Sequence, residues 1–529
     1  MKKFLSLVLA LVMTMSLVTV SAGAKDFTDD SSITYKEAVD VISALGVVDG
    51  YSGGDFRPDD VLTRGAAAKI ICNLILGPTT ASALSAGTAP FKDVPVTNTF
   101  AGYITYCSQQ GIISGYADGT FRPTGTLSSN AFMKMLLGAL GYDSSIEGYT
   151  GANWTVSVIK QAVGIGLDDG NDEFVGSKAV TRQEAALYAF NMLQATMVEY
   201  DQKNTIVVGD IEINTTSSRK DVVNNDKTET ISDDDKMQFA ERYFDDLKLS
   251  DGDDAFGRPS NVWALKSDEI GTYAKEADAT YTAKVEAGDI YKDLGLSDTV
   301  DKTDVTVFVD GADKTDDHAL AIRKGSDTKA GESANGVLTE VYYDDDKGDI
   351  TITQVKTYIG EISKSVEATD KRDAYVEVIT TVDSNGQKPA GASGSEKFET
   401  AEKFDDEAKV LYTFSESEDE IQSVVLAEEA TGTVSKVVNK TNDQDNSSVT
   451  VNDTEYKASA TMASSLLSAI SVDLDYTVYL DTYGYVISVS EEDYSDYALV
   501  LEIEGSKDGG FTSDRAKLVL TTALSRRST

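Results

Sequence analysis

Gly50-Tyr51-Ser52-Gly53-Gly54-Asp55-Phe56-Arg57-Pro58 and Gly115-Tyr116-Ala117-Asp118-Gly119-Thr120-Phe121-Arg122-Pro123 align without a gap, and their common frame decides the fold. Thr63 follows Phe56 by seven residues, Ser128 follows Phe121 by seven and Thr181 follows Phe174 by seven, so three copies stand in register. Self-similarity at a fixed spacing marks a repeat architecture. Upstream, Phe27-Thr28-Asp29-Asp30 pairs with Phe91-Lys92-Asp93-Val94, and Tyr35, Phe100 and Trp154 each precede a helical pattern. Those helices are expected to stop near Gly46, Gly111 and Gly164, because glycine supplies the left-handed residue that ends a helix. Thr63, Ser128 and Thr181 stand where an N-cap is wanted. Thr181-Arg182-Gln183-Glu184 reads as a capping box, and the helix behind it, Ala185 to Leu193, is apolar on most faces and suited to burial. Each copy is thus helix, glycine-rich loop and capped helix. One copy cannot bury its own apolar face, so three are expected to pack together.

These residues resemble the S-layer-homology family, whose pattern runs F-x-D-V, an aromatic before a helix, GI-x-GY-x-DGTFRP and a TRAE-like motif. The resemblance spans about residues 27 to 199 and is most specific in the second copy. It implies repeats arranged with pseudo-threefold symmetry around a helical bundle, with grooves between them that bind a pyruvylated secondary cell-wall polysaccharide. The expected fold class is therefore multidomain: an N-terminal all-α bundle of three S-layer-homology repeats, then C-terminal mainly-β modules.

The start of the chain supports export. Met1-Lys2-Lys3, an apolar run from Phe4 to Val20 broken by Ser and Thr, and Ala22-Gly23-Ala24 form a signal peptide, residues 1–24, with no membrane attachment after cleavage. Acidic residues number 88 against 47 basic ones, a formal charge of -41, which repels nucleic acid and anionic lipid. Cys72 and Cys107 each sit in an apolar helical pattern, where a buried free thiol is the ordinary expectation, while export also permits a disulfide between them. His318 is the single histidine and lies in a charged run, which excludes a two-histidine zinc site.

Eight further segments complete the organisation. Residues 25–84, 85–145 and 146–199 hold the three repeats, 200–236 a polar linker, 237–356 a mixed α/β or β region, 357–428 and 429–490 two β modules, and 491–529 an incomplete β module with a tail. Alternating runs such as Val305-Thr306-Val307-Phe308-Val309 carry the strand signal. The two β modules begin alike, at Tyr358-Ile359-Gly360-Glu361-Ile362-Ser363 and at Ala430-Thr431-Gly432-Thr433-Val434-Ser435. The stretch Met237 to Tyr281 resembles segments that follow the repeats in clostridial-type surface proteins, and Trp263 within it reads as core. The tail, with Arg526-Arg527, suggests a shortened C-terminus.

A ketal-linked pyruvate is a carboxylate on a sugar, and arginine's planar fork meets a carboxylate with two parallel hydrogen bonds. By residue-wise resemblance to the TRAE motif, polymer binding is carried to Thr63-Arg64 and to Thr181, Arg182 and Glu184, where free helix N–H groups are expected to assist. Gly53 and Gly119 are counted with the polymer-binding residues in a secondary role and, with Gly54, are expected to supply positive φ or close backbone approach in the loops. Arg57 and Arg122, each before a proline, are weaker candidates for ligand contact, because an arginine at a loop end can serve only to brace the loop. The second copy has Ser128-Ser129-Asn130-Ala131 in place of Thr-Arg, so at most two working grooves are expected. Asp233-Asp234-Asp235 and Asp344-Asp345-Asp346 lack a calcium-loop pattern and read as solvated charge; no cofactor is expected, and calcium has no motif behind it. No catalytic constellation emerges, so the chain reads as a non-enzymatic, secreted S-layer-like protein on the cell wall. Its partners are the wall polysaccharide and, in a surface lattice, copies of itself, with no nucleic acid among them. The rival reading is an anchored adhesin or ligand-binding surface protein.

Overall fold

The computed structural model describes residues 27–201, 205–208, 211–214, 218–225, 230–369, 372, 374–380, 388–400, 402–440, 443–491, 498–504 and 515–520. The signal peptide, the tail beyond 520 and parts of the linker lie outside the described residues. The chain forms two compact units, one within Thr19–Asp254 and Pro259–Lys275, the other containing Ala255–Arg258 and Glu276–Thr529. No helix among the described residues is long and apolar enough to cross a membrane.

The first unit carries α1 (Lys36–Ala44), α2 (Arg64–Leu76), α3 (Pro78–Ser82), α4 (Ala101–Gln109), α5 (Ser129–Ala139), α6 (Trp154–Gly164), α7 (Arg182–Gln194) and α8 (Phe239–Tyr243). Local chemistry sets the starts of the capped helices. Thr63 Oγ1 accepts from Ala66 N at 3.3 Å, Ser128 Oγ from Ala131 N at 3.4 Å and Thr181 Oγ1 from Glu184 N at 3.3 Å. In α7 the box closes, because Glu184 Oε2 accepts from Thr181 N at 2.7 Å. Just before these caps the copies are tied in a ring. Leu62 N donates to Val180 O at 2.9 Å, Val180 N to Leu127 O at 2.9 Å, and Leu127 N to Leu62 O at 3.2 Å.

Strands follow the helices: β1 (Val198–Tyr200), the hairpin β2 (Thr205–Val208) and β3 (Ile211–Asn214), and β4 (Arg219–Asp221), which pairs antiparallel with β1. Next comes the antiparallel sheet β5 (Leu247–Asp253), β6 (Pro259–Leu265) and β7 (Asp268–Ala274). This sheet overturns the expected all-α bundle of three repeats. Leu247, Trp263, Ile270 and Tyr273 belong to the same apolar core as the helices, and Trp263 meets Phe190 of α7 at 5.3 Å between ring centroids. The physical reason lies on α1. Asp40 is 1% exposed and Glu37 half-buried, and a carboxylate cannot be buried without donors. The sheet supplies them: Trp263 Nε1 and Asn261 Nδ2 donate to Glu37 at 2.7 and 3.0 Å, and Tyr273 Oη donates to Asp40 at 2.8 Å. The unit is a mixed α/β body. Within it Cys72 and Cys107 are buried free thiols whose sulfurs lie 3.5 Å apart, between α2 and α4.

The second unit holds β8 (Ala279–Tyr281), α9 (Ala287–Asp293), β9 (Val305–Val309), β10 (Ala312–Asp313), β11 (Val337–Asp344) and β12 (Asp349–Lys356). The strands order as β10-β9-β12-β11-β8, with β9 and β12 parallel. Then come β13 (Tyr358–Val366), β14 (Tyr375–Ile379), β15 (Ser395–Glu399), β16 (Lys409–Ser415) and β17 (Glu420–Leu426) in the order β15-β14-β13-β16-β17. They are followed by β18 (Glu428–Val438), β19 (Ser448–Val451), β20 (Thr454–Lys457), α10 (Ser464–Ala469), β21 (Asp475–Leu480) and β22 (Val486–Glu491). These five strands order as β20-β19-β18-β21-β22. The second and third of these five-stranded sheets share one topology, and each central strand carries a bulge, at Ile362/Lys364 and at Val434/Lys436. A last hairpin joins β23 (Ala498–Glu504) to β24 (Arg515–Leu520).

Candidate functional site

The first turn of each capped helix abuts the glycine-rich loop of another copy. Arg64 N and Gly65 N of α2 donate to Gly125 O and Pro123 O, at 2.9 and 2.8 Å. Arg182 N and Gln183 N of α7 donate to Asp60 O and Pro58 O, at 2.9 and 3.0 Å, and Ser129 N and Asn130 N of α5 donate to Lys178 O and Gly176 O, at 3.0 and 2.8 Å. The N–H groups that a helix start leaves over are thereby satisfied by neighbouring carbonyls and, at the third position, by the cap hydroxyl. The expected free N–H groups are spent, and any anion here must be met by side chains.

Two of the three junctions present such side chains. Arg64 Nε donates to Phe121 O at 2.8 Å and its Nη2 to Ser114 O at 3.2 Å, and the guanidinium lies 4.4 Å from the Phe121 ring and 5.1 Å from the Tyr116 ring. Arg182 repeats the arrangement on the first loop. Its Nε donates to Phe56 O at 2.8 Å and its Nη2 to Asp49 O at 2.9 Å, with Tyr51 and Phe56 each 4.8 Å away. Each fork spends two of its five N–H groups on fixing itself to the loop, and the other three have no hydrogen-bond partner among the described residues. From the loop side a second arginine approaches the same tyrosine: Arg57 lies 4.1 Å from the Tyr51 ring and Arg122 4.1 Å from the Tyr116 ring. Tyr51 and Tyr116 are exposed, at 41% and 43%. Burial pulls the pKa of Arg64 and Arg182 down, and the facing Arg122 and Arg57 add to the effect, so each groove gathers like charge.

The loops of the first two copies are held by carboxylates near the start of each copy. Asp29 accepts from Phe56 N and Arg57 N, and Asp93 from Phe121 N and Arg122 N, each at 2.7 Å. This grip fixes Arg57 and Arg122 at φ 56° and 60°, a left-handed backbone that costs an L residue about 1–2 kcal/mol. Gly54 and Gly119 occupy the equivalent left-handed loop position, with φ 86° and 79°. Gly53 falls one residue earlier, opposite Asp118, and is not among the positive-φ residues. Asp55 bonds Arg57, while Asp118 accepts from Thr120 and from Arg122 at 3.1 Å and is held down at about 2 by those bonds.

The third junction is built differently. Ser129 stands where the other two helices place arginine, and Val175 where the other loops do. Asn130, 7% exposed, packs so closely on Gly176 that a Cβ there would overlap its Oδ1. Among the residues expected from the sequence, Arg64 and Arg182 thus reach the loops of neighbouring copies, Thr63 and Thr181 cap, and Glu184 is engaged in the capping box. Tyr51 and Tyr116 were missed, although the Gly-Tyr that opens both loops was their signal. Asp29 and Asp93 were visible only as part of the repeat pattern.

Paired arginines beside an exposed tyrosine, repeated at two junctions of a repeat body, gather positive charge at the surface of an acidic chain. The S-layer homology domain family matches residues 26–68 and 90–128, two of the three copies read from the sequence. The surface layer protein of Brevibacillus choshinensis is 26% identical over 294 residues, covering 54% of this chain and 25% of that protein. The middle cell wall protein of Brevibacillus brevis is 24% identical over 345 residues, covering 63% of this chain and 31% of its own length. The cellulosome-anchoring protein of Acetivibrio thermocellus is 37% identical over 83 residues, covering 16% of this chain and 18% of that protein. The chain thus spans about a quarter to a third of the length of the two Brevibacillus proteins it matches. It carries S-layer homology domains, and the proteins it resembles over more than half of its length are a surface layer protein and a cell wall protein.

Proposed function

We propose that this chain is a non-enzymatic surface protein held to the cell wall by two grooves, Arg182 with the first loop and Arg64 with the second. Their ligand is an acidic wall polysaccharide carrying ketal-linked pyruvate. The observation that carries this reading is the pairing of cations in a chain of formal charge -41. Each helix-start arginine also sits at the positive end of its own helix, an unfavourable place that a bound carboxylate would relieve. The tyrosine beside it offers an apolar face for the sugar ring. The third junction, without arginine and closed by Asn130, takes no part. The second unit projects from the wall and contacts copies of itself in a surface lattice.

Attachment requires no metal. Asp344 already accepts from Lys347, and Asp234 from Lys236 N and Gln238 Nε2, so one acid of each run is engaged by the protein itself. The carboxylates of Asp344, Asp345 and Asp346 lie within 4.8 Å of one another but belong to the second unit, away from the repeats. The test is sedimentation of the full chain with Gram-positive cell-wall sacculi, native or stripped of secondary polysaccharide. Native sacculi should retain it, stripped sacculi should not, and a chelator should change nothing. Replacing Arg64 and Arg182 together by lysine keeps the charge but removes the fork, and should weaken retention by about tenfold or more with helical content intact. Retention equal to the unaltered protein would refute the site.

A further inference from the structure

We infer that Arg57 and Arg122 contact the ligand directly, each as the second cationic arm of a groove whose first arm is Arg182 or Arg64. This rests on the reading of those grooves as polymer sites and adds two residues whose own ion pairs, to Asp55 and Asp118, stay within their loops. The distribution of arginines over the three copies is the first argument. Counted by repeat they do not travel together: the second copy has the loop arginine, Arg122, but Ser129 at its helix start, while the third has Arg182 at its helix start but Val175 in its loop. Counted by junction they do. Arg57 faces Arg182 across Tyr51, Arg122 faces Arg64 across Tyr116, and the remaining junction joins Ser129 to the loop of Val175 and has neither. Loop and helix arginines are therefore kept or absent as a pair belonging to one groove.

Backbone conformation is the second argument. At φ 56° and 60° glycine is the residue of least strain, and asparagine the next, yet both loops place arginine there. Bracing does not explain it, because the loop is held by backbone bonds to Asp29 and Asp93 that glycine would make equally well. The side chains are half-exposed, 50% and 55%, and their bonds are to carboxylates in the same loop, Asp55 and Asp118. Such surface pairs are weak and exchange readily for another carboxylate. Strain kept at an exposed cation beside a second cation marks a place where an anion is bound.

The test is the double variant Arg57→Gly, Arg122→Gly in the full chain, sedimented with native Gram-positive sacculi over a range of salt concentrations, with thermal unfolding in parallel. The expected result is an unchanged or higher unfolding midpoint, retention weaker by about tenfold or more, and a flatter salt dependence. Arg57→Lys with Arg122→Lys should recover part of the retention, since the cation returns. Unchanged retention in the glycine variant overturns the inference. So does weaker retention with a lowered midpoint, which would make the two arginines braces. If the Arg64 and Arg182 lysine variant binds as the unaltered protein does, the groove reading itself fails; if only the glycine variant does, that reading stands and this inference alone falls.

Discussion

Asp93 shows how one side chain sets the shape of a binding loop. Burial works against its charge, yet the backbone N–H groups of Phe121 and Arg122 hold its carboxyl below the usual range. Asp93→Ala would leave those two donors without acceptors, a loss of about 2–3 kcal/mol measurable by urea unfolding. The loss should shrink when Arg122 is glycine, because a residue that accepts the left-handed backbone needs less holding. A double-mutant cycle on Asp93 and Arg122 is therefore expected to show coupling of about 0.5 kcal/mol or more. Additivity would mean that the carboxylate does not enforce the arginine's conformation. The same reasoning applies to Asp29 and Arg57, which repeat the geometry.

What could be read from the sequence at the scale of elements was what is local. Thr63, Ser128 and Thr181 announce helix starts because a cap bonds three residues ahead, and Glu184 closes its box across the same distance. Arg64 and Arg182 could be picked out as candidates, but not the loops they would meet, since Arg64 bonds Phe121 and Arg182 bonds Phe56 across other copies. The sheet β5–β7 was least legible as part of the helical core. Its links to α1 join Glu37 to Trp263 and Asp40 to Tyr273, far apart in sequence, and the one local hint was a pair of acids on a helix face otherwise apolar. Trp263 is fully buried, so Trp263→Ala should cost about 3–5 kcal/mol and lower the unfolding midpoint of the helical unit. Trp263→Phe keeps most of the ring but removes the donor to Glu37, and should cost about 1.5–3 kcal/mol. If either variant left the helical transition unmoved, the sheet would be no part of that core.

Over the whole molecule the excess of acid makes pH the variable of interest; burial raises Glu37 and Asp40 in the first unit, and in the second it raises two carboxyls into the range between pH 5 and pH 8. Burial raises Asp310 to about 6, against the pull of Lys356 and the bonds from Lys356 N and Tyr358 Oη. Burial likewise raises Asp481 to about 7, although Tyr483 N and Tyr485 N donate to its Oδ1 at 3.0 and 2.9 Å. A carboxyl whose folded pKa exceeds its unfolded one binds its proton more tightly when folded. Its contribution to stability is greatest below the unfolded value, near 4, and is lost as pH rises through 6 and 7. Between pH 8 and pH 5 the second unit should therefore gain several degrees in unfolding midpoint. Relief of repulsion in a chain of charge -41 acts in the same direction, so a control is needed to separate the two. Asp481→Asn keeps an oxygen for Tyr483 N and Tyr485 N but cannot titrate, and it changes the net charge by only one. It should be more stable than the unaltered protein at pH 8 and show a smaller midpoint difference between pH 5 and pH 8. A difference of undiminished size in that variant would assign the pH response to the overall charge and not to the buried carboxyl.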